Sequence, residues 1–119
     1  MRSKRVLIPL YRDEVAPRFD LASAALVAVV TPGEEAIPTT DFLLPQPSAE
    51  GVCDLVLQKD VDVVICGAIE EEYYHYLRWK RVEVLDNVAA PARVALERFA
   101  KGALRAGDIL FAKGGSDAR

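Results

Sequence analysis

Cysteine, histidine and long apolar runs are all scarce in this chain of 119 residues, and each scarcity excludes something. Two cysteines, Cys53 and Cys66, cannot build a disulfide framework, so a reduced, cytoplasmic chain is the simplest expectation. One histidine, His75, beside two cysteines without a C-x-x-C falls short of a structural zinc set, which takes four closely spaced ligands. The same scarcity leaves no Ser/His/Asp or Cys/His triad to propose. The longest mostly apolar run, Leu21 to Val30, is too short for a membrane span of about 20 residues. The basic opening at Met1–Arg5 is followed only by Val6–Leu10 before Tyr11-Arg12-Asp13-Glu14, too little for the roughly 7–15 apolar residues of a signal peptide. Charge of one sign is lacking as well. Fifteen Lys+Arg against eighteen Asp+Glu leave a net charge of −3, which argues against a general nucleic-acid binder with a basic face. Neither G-x-x-x-x-G-K-[ST] nor G-x-G-x-x-G occurs, so nucleotide binding through those loops is excluded.

What is present is the pattern of one α/β domain. Hydrophobic residues make up 51% of the chain and charged residues 28%, the balance of a globular domain that buries about two-thirds of its unfolded surface. Arg5–Leu10 is a continuous apolar run, as a strand buried on both faces shows. Tyr11–Asp20 is charged, broken by Pro17, and reads as a loop. Ala24–Thr31 and Ala36–Leu44 flank the turn signal Pro32-Gly33 and predict an antiparallel hairpin, with Pro38 weakening the second strand or placing it at an edge.

Ser48 is a good N-cap, and Ala49, Val52, Cys53, Val56 and Leu57 form one apolar stripe, so a helix is expected over 48–59. Val61–Cys66 reads as a buried strand closed by Gly67. Glu70-Glu71-Glu72 suit the positive end of a helix over 69–79, with Ile69, Tyr73, Tyr76 and Leu77 as its inner face. Val82–Leu85 is a short strand. Asn87 and Pro91 precede a helix over 90–101, whose wet side carries the i, i+4 pairs Arg93–Glu97 and Glu97–Lys101. The order β, β, β, α, β, α, β, α implies parallel crossovers in the second half and a mixed sheet with helices on both faces.

Few residues here carry chemistry. Asp13, Glu14 and Asp20 cluster after the first strand, where a two-metal nuclease would keep carboxylates, but the ends of the neighbouring strands offer only Asp86. Solvated loop acids are the better reading. Cys53 lies within an apolar stripe and reads as core. Cys66 ends a strand just before Gly67, where ligands of open α/β sheets gather, although packing alone also explains it. His75 reads as exposed beside Glu71. Tyr74 and Trp79 are candidates for a partner surface. The most specific stretch is Val15-Ala16-Pro17-Arg18-Phe19-Asp20. Phe19 would anchor the loop, and Arg18 would present its planar fork to an anion beside Cys66 and the Gly67-Ala68 backbone.

Four stretches together resemble the dinitrogenase iron-molybdenum cofactor biosynthesis family, the NifX-like domain. They are Arg5-Val6-Leu7-Ile8-Pro9, Val15–Phe19, Val61–Gly67 and Ala95–Leu104. The resemblance implies an RNase H-like, five-stranded mixed sheet with its second strand antiparallel. It places a NifX-like domain at 1–106 and a partly disordered tail at 107–119. It also implies a cytoplasmic, non-enzymatic protein that binds an anionic or cluster-type ligand of the iron–sulfur or iron–molybdenum kind, with Arg18, Phe19, Cys66, Gly67 and Ala68 around it. Where cofactor carriers of the family commonly show His-Phe-Gly, this chain has Arg18-Phe19-Asp20. The alternative is a module that keeps the fold without the cofactor and binds a protein partner through Tyr74, Trp79 or Ile109-Leu110-Phe111. Neither reading involves nucleic acid or membrane.

Overall fold

The computed structural model describes residues 3–111. The continuous apolar run at the start of the chain becomes β1, Lys4–Tyr11, with Val6 to Leu10 buried. Side chains alternate across a strand, so β1 feeds two cores. Val6, Ile8 and Leu10 enter one apolar cluster, and Leu7 enters another on the opposite face. A short strand β2, Glu14–Val15, folds back on the end of β1. Beyond it come β3 (Ala24–Val30), β4 (Thr39–Leu43), β5 (Val63–Ile65) and β6 (Glu83–Leu85).

The sheet runs β4-β3-β1-β5-β6, with β2 paired to β1 off this path. β3 is antiparallel to both β1 and β4, whereas β1, β5 and β6 are parallel. The mixed α/β class expected from the sequence is therefore present, but the sheet has six strands and not five. The added strand lies inside the segment expected to be a loop. Its two residues are too few to show a period of two, so the strand expected as second is β3. β4 also starts later than expected, at Thr39, because Pro38 has no amide hydrogen to give the ladder; its carbonyl still accepts from the Val29 amide at 3.0 Å.

Pro9 is unusual inside a central strand. The amide and carbonyl of one strand residue point to the same side, and the Pro9 carbonyl accepts from the Ala16 amide at 2.8 Å. The missing donor thus faces the loop after β1, beyond the Val6↔Val63 and Leu7↔Val64 pairs with β5, and costs the ladder nothing.

Helix α1, Ala49–Gln58, starts at Ser48, whose Oγ accepts from the Gly51 amide at 2.9 Å. Such a cap is worth about 1 kcal/mol. Of its expected stripe, Ala49, Val52, Cys53 and Val56 are buried with Leu7 and Val64, whereas Leu57 at the edge of the stripe is 42% exposed. Helix α2, Glu71–Trp79, packs on the same face through Leu77, with Ile69, Tyr73 and Tyr74 half-buried. Tyr76 points outward, contrary to expectation, because Tyr73, Tyr74 and Leu77 at i, i+1 and i+4 already fill the contact. Tyr74, expected as a partner surface, is therefore partly packed, while Trp79 is 76% exposed.

Helix α3, Ala92–Ala100, covers the other face through Ala92, Ala95 and Leu96. Its first amide, at Ala92, donates to the Asp13 carbonyl in the β1–β2 turn. Arg93–Glu97 and Glu97–Lys101 do not close: among the described residues the ion pair formed is Arg18–Asp20.

The expected tail at 107–119 is described only to residue 111. Leu110 packs against the α3-side core, and its amide donates to the Ala89 carbonyl at 2.7 Å. Residues 112–119 lie outside the described residues. No described helix is long and apolar enough to cross a membrane.

Candidate functional site

Three loops leave the carboxyl ends of β1, β5 and β6 and are knitted together by backbone hydrogen bonds. The Ala68 amide donates to the Pro17 carbonyl, and the Phe19 amide donates to the Ala68 carbonyl, both at 2.8 Å. Arg18 and Ala68 thereby form an isolated parallel bridge. On the other side the Asn87 amide donates to the Gly67 carbonyl at 2.9 Å and the Val88 amide to the Cys66 carbonyl at 3.0 Å. Asn87 takes a left-handed φ of 58°, which short polar side chains tolerate. The Val15 amide donating to the Ala90 carbonyl joins the first loop to the third.

Gly67 is at the centre of this weave. A side chain there would run into the backbone of Ala16 and Pro17, with the Pro17 carbonyl oxygen 2.5 Å from the built Cβ. Glycine is required here for space. No pattern in the sequence announces the close approach; the only cue is a glycine directly after a buried strand.

Phe19 opens a short 3-10 turn, Phe19–Leu21, and is 1% exposed. Its ring lies among the α1-side core residues and stacks on Tyr73, with centroids 6.3 Å apart. Tyr73 in turn donates its hydroxyl to Glu50 at 2.8 Å, tying α2 to α1. That bond lowers the Glu50 carboxyl below its ordinary value and pushes the Tyr73 phenol up to about 12.

Anchoring Phe19 leaves Arg18 on the outside. Its side chain is 57% exposed, and the guanidinium grips Asp20 with two bonds, Nε to Oδ1 at 3.2 Å and Nη2 to Oδ2 at 2.9 Å. An exposed pair of this kind contributes about 0–1 kcal/mol, so it is readily exchanged for another anion. Sequence reasoning missed Asp20 as the partner, although a carboxylate two residues on was the available signal.

Cys66 shares the site's address but not its surface. It is fully buried, and burial, with Asp86 adding to it, pushes its thiol far above the ordinary value. Cys53 is also buried, its thiol raised to about 11 by burial first and by Asp54 and Glu50 next. Neither is linked. A thiolate is the nucleophile and the metal ligand, so neither cysteine offers one here. Among the described residues no three His, Cys, Asp or Glu side chains gather to hold a metal ion. His75 is exposed and sets its ring edge-on to Tyr74, with no bond to Glu71. The five expected residues are thus brought together by the backbone. Arg18 alone presents a charged side chain to solvent, and Gly67 and Ala68 act through the strand end they form. This donor set does not fit direct ligation of iron or molybdenum; what it offers is charge and hydrogen bonding.

A small mixed α/β domain with the Arg18 guanidinium fixed at its strand ends is the class that fold and site define. No family model matches the sequence, and no curated protein matches it. Solved structures do. The crystal structure of PH0822 superposes with a TM-score of 0.73 at 15% identity, over 86% of this chain and 93% of that one. A Methanocaldococcus jannaschii protein provisionally named a dinitrogenase gives 0.69 at 19% identity, over 87% and 94%. The solution structure of a Thermotoga protein, provisionally named NifB and assigned to the DUF35 family, gives 0.58 at 17% identity, over 93% and 99%. The chain has the fold of these proteins, in keeping with the NifX-like resemblance of its sequence.

Proposed function

We propose that this protein is a small binding protein, not an enzyme, of the nitrogenase-cofactor-associated kind, and that it holds an anionic ligand at the Arg18 loop. One observation carries the reading: Phe19 and the Ala68 bridge fix the backbone on both sides of Arg18, while its guanidinium stays exposed at the carboxyl ends of the central strands. Ligands of open α/β sheets collect at this place. A planar guanidinium suits an oxyanion or a thiometallate, and an anionic iron–sulfur or iron–molybdenum cluster would be held as cargo by outer hydrogen bonds, without ligation. The names of the structural neighbours support the cofactor association. The strand order, with β3 alone running against the other strands of the main path, supports the RNase H-like reading.

Glu70, Glu71 and Glu72 at the start of α2 oppose an anion, so binding is weak and salt-sensitive. Titration with tetrathiomolybdate, followed by amide chemical shifts, tests the site. Shifts confined to residues 17–20 and 67–69, fading as salt rises, are expected. Shifts elsewhere, or none at millimolar ligand, contradict the assignment.

A further inference from the structure

We infer that the cleft between α3 and β4 receives a basic amphipathic helix of a partner protein. Strands lie about 4.8 Å apart and a helix is about 10 Å across, so one helix covers about two strands and a five-strand path needs two per face. α1 and α2 share one face of this sheet. On the other, among the described residues, α3 is the single helix. The half made by β3 and β4 is only partly covered there: Ala28 is buried and Ala24, Leu26 and Val30 are half-buried, but Thr39, Asp41 and Leu43 of β4 are exposed, and a cavity of about 640 Å³ lies between this half and α3.

The register fixes which side chains face this space. Leu10, Leu26 and Leu96 belong to the α3-side core and line the cleft, with Ile37 beside them. Ala24 is paired with Leu43 and Leu26 with Asp41, and opposed residues of neighbouring strands share a face. Leu43, 86% exposed, therefore extends the apolar floor toward the mouth.

The rim selects the partner. Asp13, Glu35, Asp41 and Glu97 line the cleft and are exposed, against a single cation, Arg93. Among the described residues none of these four carboxylates is in an ion pair. An apolar floor with an acidic rim is complementary to a helix with Leu-type anchors at i, i+3, i+4 and i+7 and Lys or Arg along its flanks. Such a helix would complete the missing half of the layer. The cleft lies on the opposite face from α2, so it is distinct from Tyr74 and Trp79.

The test is selection from a displayed library of helix-biased amphipathic peptides on the full chain, followed by titration of the enriched peptides in isolation. The enriched sequences are expected to be rich in Lys and Arg, and to bind about tenfold or more weakly to the double variant Asp41→Lys with Glu97→Lys. Both positions are exposed, so an unchanged melting temperature serves as the control. No enrichment, enrichment of neutral or acidic peptides, or equal affinity for the variant overturns the inference. In sedimentation at micromolar concentration the free protein is expected to be monomeric; a dimer that the double variant dissociates puts a second copy in the cleft and also overturns it.

Discussion

Gly67 lies so close to Pro17 that a Cβ on it would stand 2.5 Å from the Pro17 carbonyl oxygen. The Ala68 amide, one residue on, donates to that same oxygen at 2.8 Å. The crowding and the bond belong together, because a loop can dock on a strand end by its backbone only where no side chain intervenes. Gly67→Ala is expected to destabilise the fold by about 1–3 kcal/mol, the usual cost of overpacking, since rigid backbone and not a flexible side chain is in the way. For a domain of this size that lowers the melting temperature by roughly 4 °C or more. A melting curve of the variant checks it, and an unchanged midpoint means that the loop does not rest on Gly67.

The bond between Tyr73 and Glu50 gives stability a pH dependence at both ends. The Tyr73 phenol is raised to about 12 from an ordinary value of 10, so its contribution is full below about pH 10 and is lost as pH rises toward 12. The Glu50 carboxyl is lowered from 4.5, so its contribution is full above that value and is lost as pH falls through the lowered one. Tyr73→Phe should flatten both limbs of the stability profile. Phenolate absorbance should show one tyrosine fewer titrating near pH 12 in the variant. A wild-type profile without an alkaline limb contradicts the bond.

The thiols provide a measure of local opening. Cys66 is fully buried and Cys53 nearly so, and both are held protonated at neutral pH. A bulky thiol reagent should label neither rapidly in the native state and both on denaturation; in slow native labelling Cys53, 5% exposed, should react before the fully buried Cys66, which needs the larger opening. Rapid native labelling of Cys66 would show that the strand end opens to ligands in a way that this structure does not.

Much of the fold was legible because apolar periodicity survives folding. The stripe Ala49, Val52, Cys53 and Val56 is the buried face of α1, and Val63-Val64-Ile65 is buried on both faces as a continuous run implies. β2 was not legible, since two residues carry no period. The orientation of α2 was half legible: Tyr73, Tyr74 and Tyr76 look alike in sequence, and only packing decides that Tyr76 turns out. At the candidate site, Phe19 as anchor and the meeting of Arg18 with Ala68 followed from parallel strands having their carboxyl ends side by side. Asp20 as the partner of Arg18, and the steric need for Gly67, depend on loop geometry that no local pattern encodes. The thin cover over β4 and the neighbouring half of β3 was invisible for another reason: an uncovered surface is a property of the assembled layers.

The affinity of three proteins for tetrathiomolybdate at low salt tests the Arg18 site most directly. Arg18→Ala removes a charged donor worth about 1.5–3 kcal/mol, so its binding should be roughly ten- to a hundredfold weaker than wild type. Asp20→Asn removes the carboxylate that competes for the guanidinium and should bind more tightly than wild type. Both residues are at least partly exposed, and both melting temperatures should stay near that of wild type. Equal affinities for all three proteins, or binding lost equally in both variants, contradict an anion site built on Arg18.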